Sequence, residues 1–142
     1  MTTYLGLDYG LRRIGIAVGD DETYIALSLG THVEGRDGSV LAHLEQLVAE
    51  RRVKTIVVGL PLTAAGGEGE IAVRARRFAA LLPERCGVSV EFWDERYTSQ
   101  EADRWLAAKQ RPSKEDRDSL AAEIILQGYL DHLRSGGEGD GE

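Results

Sequence analysis

Hydrophobic and polar positions alternate or cluster with two different periods along this chain, and the change of period divides it into elements. Thr3-Tyr4-Leu5-Gly6-Leu7-Asp8-Tyr9-Gly10 and Arg12-Arg13-Ile14-Gly15-Ile16-Ala17-Val18-Gly19 are short apolar runs on either side of a glycine-containing turn, a pattern that predicts a β-hairpin. Tyr24 to Val33 reads as a third strand after the acidic turn at Gly19-Asp20-Asp21-Glu22, giving an antiparallel meander. From Val40 the period becomes helical through Leu41, Leu44, Leu47 and Val48, with Gly35 to Ser39 as the start signal. Lys54-Thr55-Ile56-Val57-Val58-Gly59 is a continuous apolar run, as in a strand covered on both faces. A glycine-rich loop over 60–69 leads to a predicted helix from Glu70 to Arg85, then a fifth strand over 88–93. Thr98-Ser99-Gln100-Glu101 is a capping box opening a short helix to about Ala108, and a last helix is predicted over 114–133.

A strand–helix–strand crossover is right-handed and joins parallel strands. The simplest layout is therefore an α/β fold, a five-stranded mixed sheet in the order 3-2-1-4-5 with helices on both faces. Strands one, four and five then run parallel, and the edge at their C-terminal ends is where open α/β sheets bind ligands. Residues 1–134 read as a single domain. Ser135 to Glu142 is glycine-rich, carries three of the chain's net −7 charges, and reads as a disordered tail. At 42% hydrophobic and 29% charged the composition is that of a soluble globular protein. No apolar run approaches the roughly 20 residues that span a bilayer, so no membrane partner and a cytoplasmic location are expected. The single cysteine, Cys86, reads as a small hydrophobe rather than a nucleophile. His32, His43 and His132 are scattered and suggest surface or helix residues rather than ligands.

The chemistry-bearing residues are acids. Asp8 ends the first strand, where it is either a turn cap or a ligand, since a carboxylate in an apolar central strand is costly unless paired or coordinated. Asp94 and Glu95 end the fifth strand, about 10 Å from the first with one strand between. Neighbours in an extended segment point opposite ways, and Glu95 is preferred as the inward one. Asp118 lies on the helix stripe of Ala121, Ala122 and Ile125; it either charges the first turn or joins the other acids. Glu123 falls roughly opposite and is expected to be solvated. Converging carboxylates repel and need a counterion, and an all-oxygen donor set suits Mg²⁺ or Mn²⁺ and metal-assisted phosphoryl transfer. Arg12 and Arg13 beside the first turn, and Lys109, Arg111, Lys114 and Arg117 leading into the last helix, border the same edge. They form either a solvated mixed-charge surface or a phosphate track, with Arg12, Arg13, Lys114 and Arg117 as the candidate nucleic-acid contacts.

These segments resemble the YqgF/RuvX family. The resemblance rests on Asp8-Tyr9-Gly10 with Arg13 to Val18, on Val57-Val58-Gly59-Leu60-Pro61-Leu62, on Asp94-Glu95-Arg96 with Thr98, and on Asp118-Ser119-Leu120-Ala121-Ala122 with Ile124-Ile125-Leu126. It implies a ribonuclease H-like fold, with Asp8, Glu95 and Asp118 as catalytic, metal-binding acids. It further implies a nuclease maturing the 5′ end of the small-subunit ribosomal RNA precursor, a role in ribosome biogenesis. Acting on branched DNA as a Holliday junction resolvase is the alternative, and a non-catalytic RNA-binding assembly factor a lesser one. Leu11 and Asp116 depart from the family pattern; Asp116 weakens phosphate binding near the last helix and offers a fourth acid. A nucleotide-binding ATPase module, which opens on a similar hairpin, would need a second domain. Expected partners are structured RNA or branched DNA, the protein itself being a monomer or a homodimer.

Overall fold

The computed structural model describes residues 1–33, 39–61, 67–94 and 114–136, with side chains in the last segment from Leu120 onward. The expected helix over 98–108 and the last six residues of the acidic tail lie outside these segments. Five strands, β1 (Thr3–Tyr9), β2 (Arg13–Asp20), β3 (Leu27–Val33), β4 (Val53–Leu60) and β5 (Ser89–Asp94), form one sheet in the order β3-β2-β1-β4-β5. β1 pairs antiparallel with β2 and β2 with β3, whereas β4 runs parallel to both β1 and β5. This is the sheet that the alternation of apolar runs and crossover helices predicts.

Local chemistry accounts for where each element stops. Gly10 closes the first hairpin because a Cβ there would lie 2.6 Å from the Arg13 carbonyl oxygen. β3 begins at Leu27 rather than Tyr24, which has φ 57° and cannot continue a strand. Gln127 holds that bend, accepting from the Ala26 N–H at 2.9 Å and donating to the Tyr24 carbonyl at 2.8 Å. Helix α1 (Ser39–Arg51) buries Val40, Leu44, Leu47 and Val48, one stripe at helical spacing. The single helix expected over 70–85 is two: α2 (Glu70–Ala79) and α3 (Leu82–Cys86). Pro83 is the cause, since it has no N–H to give the Ala79 carbonyl and its ring would collide with that turn. Gly87, at φ 70°, ends α3 and returns its N–H to the Pro83 carbonyl at 2.9 Å. The last helix, α4, spans Lys114–Arg134.

Two cores separate the layers. On one face Leu5, Leu7, Ile14, Ile16, Ile56 and Val58 of the sheet pack with residues of α1, α2 and α3. On the other, Tyr4, Ala17 and Val57 pack with Ala122, Ile125, Leu126, Tyr129 and Leu130 of α4. The sheet surface under α4 is built of small residues, and a Cβ on Gly6 would sit 2.6 Å from the Leu126 Cβ. Gly19 is equally tight, at 2.7 Å from Leu130 Cδ1. Helix α4 therefore lies closer to the sheet than side chains at those positions would permit.

Candidate active site at the C-terminal edge of the parallel strands

Strand parity decides which way each acid at this edge faces. In β1, Tyr4 and Gly6 belong to the α4 face, and Leu5 and Leu7 to the opposite core. Asp8, half-buried, has the parity of Tyr4 and Gly6 and lies on the α4 face. Its cross-strand neighbour is Gly15, which presents no side chain beside it. Tyr9 takes the other parity and packs on Phe78 of α2 with ring centroids 5.2 Å apart.

Helix α4 runs antiparallel to β1. The Tyr129 ring meets Tyr4 at 5.7 Å, whereas Leu126 and the Ala122 carbonyl sit over Gly6. Two residues beyond Gly6 is an advance of about 6.6 Å along the strand, and four residues of helix is about 6 Å. Because Leu126 and the Ala122 carbonyl bracket Gly6, that advance from their midpoint brings α4 at about Leu120 to the level of Asp8, with Asp118 in the same turn towards the helix N-terminus. Asp118 is placed by its backbone alone, as are Asp116, Lys114 and Arg117.

At the far side of the edge, Leu60 of β4 pairs with Asp94 of β5, and Gly59 with Trp93. Trp93 packs in the α4 core, where its indole lies against Gly128; a Cβ on Gly128 would come within 2.9 Å of Nε1. Val90 joins the opposite core and Phe92 lies under the Arg76 guanidinium at 4.7 Å, so Asp94, of the same parity, faces away from α4. Glu95, Lys109 and Arg111 lie outside the described residues. Of the basic residues expected to border the site, Arg12 is exposed in the hairpin turn and Arg13, half-buried, opens β2, both at the edge occupied by Asp8. Among the described residues no three His, Cys, Asp or Glu side chains come together as a metal-binding group.

The histidines and Glu123 have partners that the sequence did not indicate, whereas Cys86 is as expected. The two histidines His32 and His43, distant in sequence, stack with centroids 5.1 Å apart, and His32 shares a 2.9 Å hydrogen bond with the Ser39 hydroxyl. Glu123 is not simply solvated: its carboxylate accepts the Ser28 N–H at 3.1 Å and ties β3 to α4. Cys86 is half-buried, and that burial pushes its thiol above the ordinary value, away from a nucleophilic thiolate. A groove formed by Tyr9, Arg74, Arg77, Phe78 and Leu81, about 410 Å³ in volume, was not anticipated. Its signal was present as an Arg-Arg-Phe-Leu set at i, i+3, i+4 and i+7, overshadowed by the apolar stripe that positions the helix.

The RuvX family model, described as Holliday junction resolvase, matches residues 2–132. The chain belongs to this family. Among its relatives, a Synechocystis protein named "Putative pre-16S rRNA nuclease" is 43% identical over 141 residues, covering 94% of this chain and 93% of its own. A Chloroflexus aggregans protein of the same name is 45% identical over 136 residues, covering 94% and 96%. Among solved structures, Thermus thermophilus RuvC in complex with a Holliday junction substrate superposes with a TM-score of 0.60 at 17% identity, covering 96% of this chain and 98% of RuvC. The fowlpox virus Holliday junction resolvase gives 0.56 at 9% identity, covering 93% and 100%. The RuvX chain thus has the ribonuclease H-like fold of these resolvases.

Proposed function

We propose that this RuvX-family nuclease hydrolyses phosphodiester bonds at a site formed by Asp8, Glu95 and Asp118, carried by a single domain over residues 1–134, and that it matures the 5′ end of precursor 16S ribosomal RNA. The observation that carries the reading is the parity of Asp8, which lies on the sheet face covered by α4, the helix that carries Asp118. β5 bears on the third acid through Asp94 alone, whose parity is that of the face opposite Asp8.

A set of carboxylate oxygens with no nitrogen or sulfur donor fits Mg²⁺ or Mn²⁺. A divalent cation held there polarises a phosphoryl oxygen and offsets the negative charge that develops as the bond is cleaved. The protein's own part is to bring mutually repelling carboxylates together. Asp8 is fixed by strand pairing on both sides of β1, and Asp118 by a helix seated against glycine. Arg12, Arg13, Lys114 and Arg117 flank the edge and receive backbone phosphates on either side of the scissile one. Both candidate polymers are cytoplasmic in bacteria, which is the location we assign, and no described helix is long and apolar enough to cross a membrane.

The second reading, resolution of branched DNA, is favoured by the family description and by the likeness to junction resolvases. It requires two sites acting on opposed strands and hence a homodimer, whereas the RNA reading is met by a monomer. Cleavage of a structured precursor RNA and of a four-way DNA junction, both with Mn²⁺, separates the two when solution mass is measured in parallel. Asp8→Asn is expected to lower cleavage of the true substrate by about 10²-fold or more without loss of fold. Full activity in that variant would sink the assignment.

A further inference from the structure

Beside Asp8, but on the other side of the sheet, Tyr9 opens the groove that it shares with α2. Arg74, Arg77 and Phe78 of α2, with Leu81 just beyond it, recur at i, i+3, i+4 and i+7 and form one wall. The tilted Tyr9–Phe78 pair, at 38° between ring planes, forms the aromatic floor. Both charged residues lining the groove are arginines, although the chain as a whole carries −7. Among the described residues Arg74 is held only by an exposed i,i+4 pair with Glu70 at 3.2 Å, a contact of little strength that a phosphate can displace. Arg77 has no ion-pair partner among the described residues. Arg76 is engaged elsewhere, bonded to Glu68 at 2.7 Å and lying over Phe92. An aromatic ring beside two guanidinium groups is the chemistry that binds single-stranded nucleic acid, bases stacking on the ring and phosphates meeting the arginines.

We infer that the Tyr9–Arg74–Arg77–Phe78 groove binds the single-stranded extension of the substrate next to the scissile phosphate. The inference rests on the nuclease reading of the site, because consecutive residues of β1 then hold the reacting phosphate and the neighbouring nucleotides. A strand leaving Asp8 passes over the end of β1 and reaches Tyr9, so the groove selects substrates with an unpaired flank beside the cut. It also anchors that flank against withdrawal during the reaction.

The test is a binding measurement that needs no cleavage. Fluorescence anisotropy of a labelled oligouridylate, in EDTA and with the Asp8→Asn chain, is compared with the same chain carrying Arg74→Gln and Arg77→Gln, both at exposed positions. The double substitution is expected to weaken binding by about tenfold or more and to lower the slope of log affinity against log salt by about 1.4, the value for two lost phosphate contacts on a single strand. Tyr9→Phe is expected to retain affinity and Tyr9→Leu to lose roughly tenfold, reporting the stacked base. Circular dichroism melts identify any variant that has lost its fold, and Tyr9→Phe keeps the stacking arm readable if Tyr9→Leu does so. Unchanged affinity and salt slope in the arginine pair would overturn the inference, as would a poly-glutamate peptide competing as well as an oligonucleotide of equal charge. Because divalent metal is absent throughout, failure here is distinct from failure of the catalytic assignment, which Asp8→Asn cleavage assays decide separately.

Discussion

Replacing Gly6 by alanine tests the contact that seats α4 on β1, on which the proposed meeting of Asp118 with Asp8 depends. The new Cβ would lie 2.6 Å from the Leu126 Cβ and 3.1 Å from the Ala122 carbonyl oxygen. Carbon atoms rest about 3.5–4.0 Å apart, so α4 must retreat by about 1 Å. Neither obstructing atom is the end of a flexible side chain, so rotamer changes cannot relieve the clash. Overpacking of this kind costs about 1–3 kcal/mol. The stiffer unfolded chain returns about 0.4–1 kcal/mol, which leaves a net loss of about 1 kcal/mol. For a domain of this size that is a fall in Tm of roughly 4 °C. Calorimetry or a urea titration reads it directly, with Gly69→Ala as control, since nothing lies within 4 Å of a Cβ there. Below the melting range cleavage should fall further than the folded fraction, by up to about 10²-fold, because a displacement of about 1 Å spoils the geometry of the acids. A Tm within a degree of the parent would show that α4 is not seated on Gly6, and the proposed convergence of Asp8 with Asp118 would lose its anchor.

Two other positions give predictions of opposite sign. Arg52, directly after α1, has φ 55°, a conformation that costs a residue with a Cβ about 1–2 kcal/mol. Arg52→Gly should therefore stabilise the fold by about 0.5–1 kcal/mol after the added freedom of the unfolded chain is subtracted. Arg52→Ala should not, and a lower urea midpoint for the glycine variant would refute the account. Asp20 accepts the Thr23 N–H at 2.7 Å, the Glu22 N–H at 2.9 Å and the Thr23 hydroxyl at 3.1 Å. The Thr23 backbone bond above all holds its carboxyl below the ordinary value of 3.8. A pKa lower in the folded than in the unfolded state contributes stability that is present above the unfolded value and is lost as pH falls through the folded one. The stability of the parent relative to Asp20→Asn should thus decline below about pH 4 and be flat near neutrality, and parallel curves across that range would exclude the effect.

Period and punctuation made the sheet legible. The order β3-β2-β1-β4-β5 follows from three strands on short turns and two helical crossovers, each written in residues whose propensities agree with the element they form. The division of α2 from α3 escaped because the apolar stripe runs straight across it; Pro83 is compatible with the first turn of a new helix as well as with the end of an old one. The stacking of His32 on His43 was invisible for a different reason, since it depends on how α1 docks beside the end of β3 and not on any local pattern. The groove at Tyr9 belongs to the same class, its two halves lying on separate elements.

The acids lie between these extremes. Sequence places Asp8 and Asp94 at strand ends, but a strand end does not say which face a side chain takes. That is set by the cores: Leu5 and Leu7 must enter one, Tyr4 and Gly6 the other, and Asp8 is carried to the α4 face by their alternation. In β5 the same constraint acts through Trp93, whose ring can enter the α4 core only because residue 128 is glycine. With Trp93 committed to that side, Asp94 is turned from it by the packing of an indole. Gly128→Ala, by displacing that ring, is therefore a perturbation of the proposed catalytic edge as much as of the core.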